Sequence, residues 1–151
     1  MKKNKKGGNI MKQLFAVKNQ SIPEDLTLLL IRVVVGIAFI LHGWGKIQSP
    51  FSWMHESSIP GILQALGAIA EFGGGIALIL GVVSNLAAFG IFCTMIVAAF
   101  YHGVVRGDPF MGKGGPSYEL AVAYLMISLL LMVMGPGRFS LDRKIFGVKS
   151  A

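Results

Sequence analysis

The sequence predicts an all-α membrane protein, an antiparallel four-transmembrane-helix bundle with N- and C-termini cytoplasmic. Three observations carry that prediction. Four apolar runs each approach the roughly 20 residues that cross a bilayer core as a helix. The chain is 54% hydrophobic and 14% charged, against about 25% charged in soluble domains. Its basic residues flank the apolar runs instead of forming a folded face. The mean hydropathy of +0.66 over 151 residues leaves more apolar surface than a small soluble domain can hide.

The elements follow in order. Residues 1–25 form a basic cytoplasmic tail holding Lys2, Lys3, Lys5, Lys6, Lys12 and Lys18. The tail lacks the apolar core and cleavage site of a secretory signal. Met11 is a second candidate start beside Met1. Leu14, Phe15 and Val17 suit a segment lying flat in the headgroups, with a disordered tail as the alternative. The transmembrane domain spans 26–143. Its apolar runs are 26–47, 62–83, 86–105 and 118–134. Ser49-Pro50 ends the first run, and Ser58-Ile59-Pro60-Gly61 precedes the second. Ser84-Asn85 reads as a tight turn between the second and third. Four glycines and two prolines mark 106–116 as a loop. Gly135-Pro136-Gly137 stops the fourth run. A short basic tail, 144–151, closes the chain.

Charge sets the expected orientation. Both basic ends belong on the cytoplasmic side, which an even number of spans permits. The 48–61 and 106–116 loops then lie outside. This distribution also argues against nucleic acid as a partner, which needs basic groups on one folded face.

Ionisable groups inside a bilayer are costly and usually have a task. Five stand within the runs: Arg32, His42, Glu71, His102 and Glu119. Lys46 lies at an edge. Arg32, Gly36, Phe39, Gly43 and Lys46 recur at helical spacing and share one face, with His42 on its flank. Gly67, Glu71 and Gly75 share a face of the second helix. Glycines on both faces admit close helix approach. At about 1.5 Å per residue, Glu71 falls between Arg32 and His42 in depth. The preferred partner of Glu71 is therefore Arg32, with His42 second. His42, Lys46, His102 and Glu119 all fall in the outer half. Together they suggest an outward polar pocket with Glu71 as its floor. Simpler readings stand beside this one. Lys46 snorkels to the interface and Trp44 joins an aromatic belt. Glu119 is a dipole-favoured helix start, and His102 a surface residue at a helix end.

Other chemistries receive little support. Cys93 is the single cysteine, so the chain has no CxxC pair and any thiol chemistry needs a partner. No pair among His42, His102, Glu71 and Glu119 has the i, i+3 or i, i+4 spacing of a helical metal motif, so no metal is assigned. No nucleotide-binding loop is present, so a nicotinamide or flavin would need another chain.

The order of motifs resembles a known family. Arg32 is followed by HGWGK (42–46), then Glu71 before glycines with LILG (78–81) following, then GPGRFSLDR (135–143). The pattern is similar to the DoxX family (DoxX/DoxD-like) of small bacterial inner-membrane proteins, over about 26–143. The resemblance implies a four-helix bundle in the bacterial inner (cytoplasmic) membrane. It also implies a link to redox chemistry, since DoxD-type relatives form part of a thiosulfate:quinone oxidoreductase. DoxX members are associated with membrane oxidoreductase complexes and thiol stress. By carry-over its matching residues are Arg32, His42, Gly43, Lys46, Glu71, Asp142 and Arg143.

The leading expectation is a membrane subunit of a quinone-, thiol- or sulfur-linked redox complex, the cofactor itself unassigned. Glu71 and His42 would transfer protons. Lys46, His102 and Glu119, with Phe39, Phe72 and Phe100 as apolar walls, would hold a quinone. Arg32, Gly36, Gly43, Gly67, Gly75, Asp142 and Arg143 would be structural. The partners expected are the lipid bilayer, a quinone, a cytoplasmic or membrane redox protein, and a second copy through the glycine faces. The rival is a non-catalytic scaffold that recruits enzymes through its basic tails. A small transporter or proton pathway is a third reading, without the broken helices or repeats expected of one.

Overall fold

A computed structural model describes residues 15–54 and 59–148. Helix α1 is Ile22–Gln48, α2 Gly61–Leu80, α3 Ser84–Phe100, α4 Glu119–Met134 and α5 Leu141–Phe146. The π-helical turn Tyr101–Val105 extends α3 without a break. The described residues contain no strand, and the expected helical membrane bundle is what forms. Among the described residues three helices are long and apolar enough to cross a membrane: α1, α2, and α3 with its π turn. The fourth, α4, is equally apolar but has only 16 residues.

Helix α1 packs on α2, α2 on α3 and α3 on α4, whereas α1 meets α4 only locally, as where Phe39 lies against Tyr124. Leu28, Val35, Phe39, Leu78, Ile91 and Leu131 form the core. The outward faces carry Leu30, Val34, Leu41, Leu66, Phe89 and Val97, all largely exposed. A protein dissolved in lipid tolerates that, because acyl chains solvate these side chains as well as a core would.

The α1–α2 seam follows the glycine faces. A methyl built on Gly36 would lie 2.7 Å from the carbonyl oxygen of Gly75, and one on Gly75 2.7 Å from that of Gly36. One on Gly43 would meet the backbone nitrogen of Phe72 at 2.6 Å. Gly67 differs. Its nearest neighbours, Thr94 and Trp53, stand 3.9 Å away, so it does not belong to this seam.

Ser84 and Asn85 are not the expected turn. They open α3, and the chain reverses one step earlier, at 81–83. Gly81 takes the left-handed conformation (φ 67°) that ends α2. The Asp142 carboxylate accepts from Val83 N–H at 2.7 Å and Ser84 N–H at 2.8 Å, so a distant side chain caps the new helix.

GPGRFSLDR folds back as a plate across the helix ends nearest the chain termini. Asp142 N–H donates to Gly81 O at 2.8 Å. Asp25, buried in α1, accepts from Arg138 N–H at 2.7 Å and Nε at 2.5 Å. Arg143 N–H donates to the Ser140 hydroxyl at 3.3 Å. Val17 is buried and its N–H donates to Gly147 O at 3.0 Å, so the segments flanking the bundle meet at one end. Phe15 packs on Phe146, 5.2 Å between ring centroids. Leu14 and Lys12, expected beside them in the headgroups, lie outside the described residues.

Candidate functional site: an ion pair on a lipid-open groove

Arg32 does not reach Glu71. It turns toward the plate, where its guanidinium donates to the carbonyls of Pro136 and Phe139, the latter at 2.7 Å. Helix α1 starts at Ile22 instead of 26, through a capping box in which Ser21 N–H donates to the Glu24 carboxylate at 2.8 Å. Arg32 misses Glu71 because of the register of the α1–α2 seam, in which Gly36 rests on Gly75 and Gly43 on Phe72. Arg32 then lies level with Gly81, where a built methyl would be 2.9 Å from its Nη1. Glu71 is ten residues away along α2, about 15 Å at the helical rise.

The partner of Glu71 is Lys46. Its Nζ lies 2.6 Å from both Oε1 and Oε2. The Glu71 side chain is 6% exposed and that of Lys46 is 26% exposed. The Lys46 ammonium also lies 4.5 Å from the centroid of Trp53, a cation–π contact. Trp53 is held by a local network around Gln64, buried in the first turn of α2. Trp53 Nε1 donates to Gln64 O, Met54 N–H to Gln64 Oε1, and Gln64 Nε2 to Ile59 O, each at 2.9 Å. The loop after α1 is thereby folded down over the ion pair.

The pair borders a groove of about 1760 Å³ between α2 and α3, wider than the roughly 300–1,000 Å³ of a small-molecule pocket. Leu63, Leu66, Phe89 and Val97 line it, and their side chains are largely exposed, so it faces the lipid region. Its polar lining includes Lys46, Glu71, Gln64, Tyr101, His102 and Arg106. At the end of α3, His102 Nδ1 lies 2.7 Å from Asp108 Oδ2. Arg106 Nε stands 3.5 Å from the same oxygen.

Of the residues expected to bind a ligand, Lys46, Glu71 and His102 line this groove, Lys46 and Glu71 in contact and His102 farther along it at the end of α3. The others do not. His42 is exposed and turns toward α4, its ring 6.4 Å from that of Tyr124. HGWGK therefore contributes Lys46 alone to this wall. Glu119 is exposed at the start of α4, away from the groove lining. The three phenylalanines do not form one wall. Phe39 is in the core, Phe72 stacks against Trp44 at 5.7 Å, and Phe100 is 58% exposed. Trp53, Gln64, Arg106 and Asp108 were not foreseen. Gln64 had a readable signal, as a polar side chain inside an apolar run.

An apolar helix bundle with an ion pair between two of its membrane-crossing helices defines a class: small multi-pass membrane proteins. Within that class, this chain belongs to the DoxX family, whose model matches residues 27–103. The match runs from α1 into the π turn and includes Lys46, Glu71 and His102. The chain is 32% identical over 127 residues to the inner membrane protein YqjF of Escherichia coli K12, covering 80% of this chain and 92% of that one. It is 36% identical over 121 residues to an uncharacterized protein of Haemophilus influenzae, covering 77% and 88%. No solved structure matches the chain. Its helices and its relatives make it a multi-pass inner membrane protein.

Proposed function

We propose that the protein is the membrane subunit of a redox complex and binds a quinone in the α2–α3 groove. The observation that supports this most is the Lys46–Glu71 pair in the wall of an apolar, lipid-open groove. A membrane quinone is amphipathic in the same way, with a polar ring and a long apolar chain. Lys46 would donate to a ring carbonyl, and Glu71 would exchange protons with it. Quinone reduction takes up two electrons and two protons, and a partner redox protein would supply the electrons. The basic tails would lie in the cytoplasm, as charge distribution favours, and dock that partner or anionic lipid.

The test is extraction of protein purified in native lipid, with quinones identified by mass spectrometry. A stoichiometric quinone, lost in Glu71→Gln without loss of fold, is the expected result. A correctly folded wild-type protein with no quinone would overturn the reading. The scaffold would then stand first, with Lys46–Glu71 acting as helix glue.

A further inference from the structure

The Lys46–Glu71 pair is one polar feature of the groove. The other is the end of α3, where the helix changes type. Residues 101–105 form a single π turn, closed by Arg106 N–H donating to Tyr101 O at 2.9 Å. Isolated π turns are uncommon and recur at functional sites. This one presents His102 to the groove. The chain then doubles back, Asp108 N–H donating to His102 O at 2.8 Å. That return sets the Asp108 carboxylate against Nδ1 of the same histidine at 2.7 Å. Asp108 is 13% exposed at its side chain, and Arg106 anchors it from the other side.

We infer that His102 and Asp108 form an orienting dyad, in which His102 takes a hydroxyl of the groove's ligand and Asp108 positions it. The inference rests on the quinone reading and extends it to the reduced form, a quinol. A carboxylate can only accept, so the neutral ring carries its proton on Nδ1 and leaves the Nε2 lone pair free. Nε2 makes no hydrogen bond among the described residues and belongs to a side chain lining the groove. A quinol O–H donates to Nε2. If the proton transfers, it leaves the quinol oxygen for Nε2, and the imidazolium faces the Asp108 carboxylate. Two charge clusters thus face the groove. Lys46 and Glu71 come from α1 and α2, His102 and Arg106 from the end of α3, with Asp108 behind His102. Just before α4, Tyr118 packs against the π turn at Gly103.

The experiment uses the full chain in lipid nanodiscs, with 15N-labelled histidine and decylubiquinol kept reduced as the probe. Asp108→Asn, His102→Gln and Glu71→Gln are compared with the wild type. His102→Gln also assigns the His102 resonances. The expected result has three parts. The wild-type ring shows protonated Nδ1 and bare Nε2. Decylubiquinol moves the Nε2 resonance. Asp108→Asn loses the fixed tautomer and binds the probe about tenfold more weakly, in the range of a hydrogen bond to a charged group. Probe binding that depends on Glu71 but is unchanged in Asp108→Asn and His102→Gln, with Nε2 unmoved, overturns the dyad and leaves the quinone reading intact. No probe binding to the wild type overturns both.

Discussion

Lys46 of α1 and Glu71 of α2 meet through both carboxylate oxygens, each 2.6 Å from the ammonium, beside the seam where Gly43 rests on Phe72. The approach of the two helices lets Lys46 reach the carboxylate, and Trp53 covers the ammonium from above. Removing one partner leaves the other without its counter-charge in a poorly hydrated place. A fully buried pair broken this way loses about 3–5 kcal/mol. Lys46 is a quarter exposed, so solvent screening reduces the loss here to about 2 kcal/mol. Lys46→Met and Glu71→Leu should each lower stability by that amount in denaturant titrations in bicelles. The double variant should lose less than the sum of the two. Strict additivity would mean the pair contributes nothing to the fold.

The glycine seam makes a sharper contrast. A methyl at Gly36 collides with the backbone of α2, which cannot move like a side-chain tip. Overpacking of this kind costs about 1–3 kcal/mol. Gly36→Ala should therefore destabilise the bundle, whereas Gly67→Ala should not, its neighbours standing 3.9 Å off. Parallel melting curves of the two variants in the same detergent decide the matter. Equal melting temperatures would contradict the seam.

Asp142 tests the plate. Its carboxylate satisfies two N–H groups at the start of α3, and losing a helix cap costs about 0.5–2 kcal/mol. Asp142→Ala should speed hydrogen exchange at Val83 and Ser84 while the middle of α3 stays protected. Unchanged exchange at those amides would show that the cap is dispensable.

Much of this was legible in the sequence, for a physical reason. Lipid demands long apolar runs, and the runs show directly. The stripe Arg32, Gly36, Phe39, Gly43 is indeed buried, because period and residue size both mark it. Register was harder. Ser21 and Glu24 carry the S-x-x-E spacing of a capping box, but hydropathy alone starts the helix at Leu26. The separation of Arg32 from Glu71 is set instead by the glycine seam, whose pairing of Gly36 with Gly75 hydropathy does not show. The true partners of Arg32 lie 104 and 107 residues downstream, in a turn whose carbonyls leave no trace in side-chain pattern. His42 and Lys46 are one turn apart, yet His42 turns toward Tyr124 of α4 and only Lys46 meets α2. Asp108 was hidden for another reason. It sits in a Gly- and Pro-rich loop, and nothing local announces that the loop returns to His102.

Orientation across the membrane yields the last prediction. The described ends of the chain meet at Val17 and Gly147, so both tails leave from one end of the bundle. The 106–116 loop follows the opposite end of α3. Six lysines precede α1 in residues 1–18, and Arg138, Arg143, Lys144 and Lys149 follow α4. The 106–116 loop holds only Arg106 and Lys113, with Asp108 beside them. The positive-inside rule predicts tails facing the cytoplasm and that loop facing out. On that orientation the His102 and Trp53 end of the groove would open toward the outer side. In a Cys93→Ser background, Lys113→Cys should react with a membrane-impermeant maleimide in intact spheroplasts. Lys144→Cys should react only after the membrane is permeabilised. The reverse pattern would invert the protein, and would require any quinone protons to be exchanged with the cytoplasm instead.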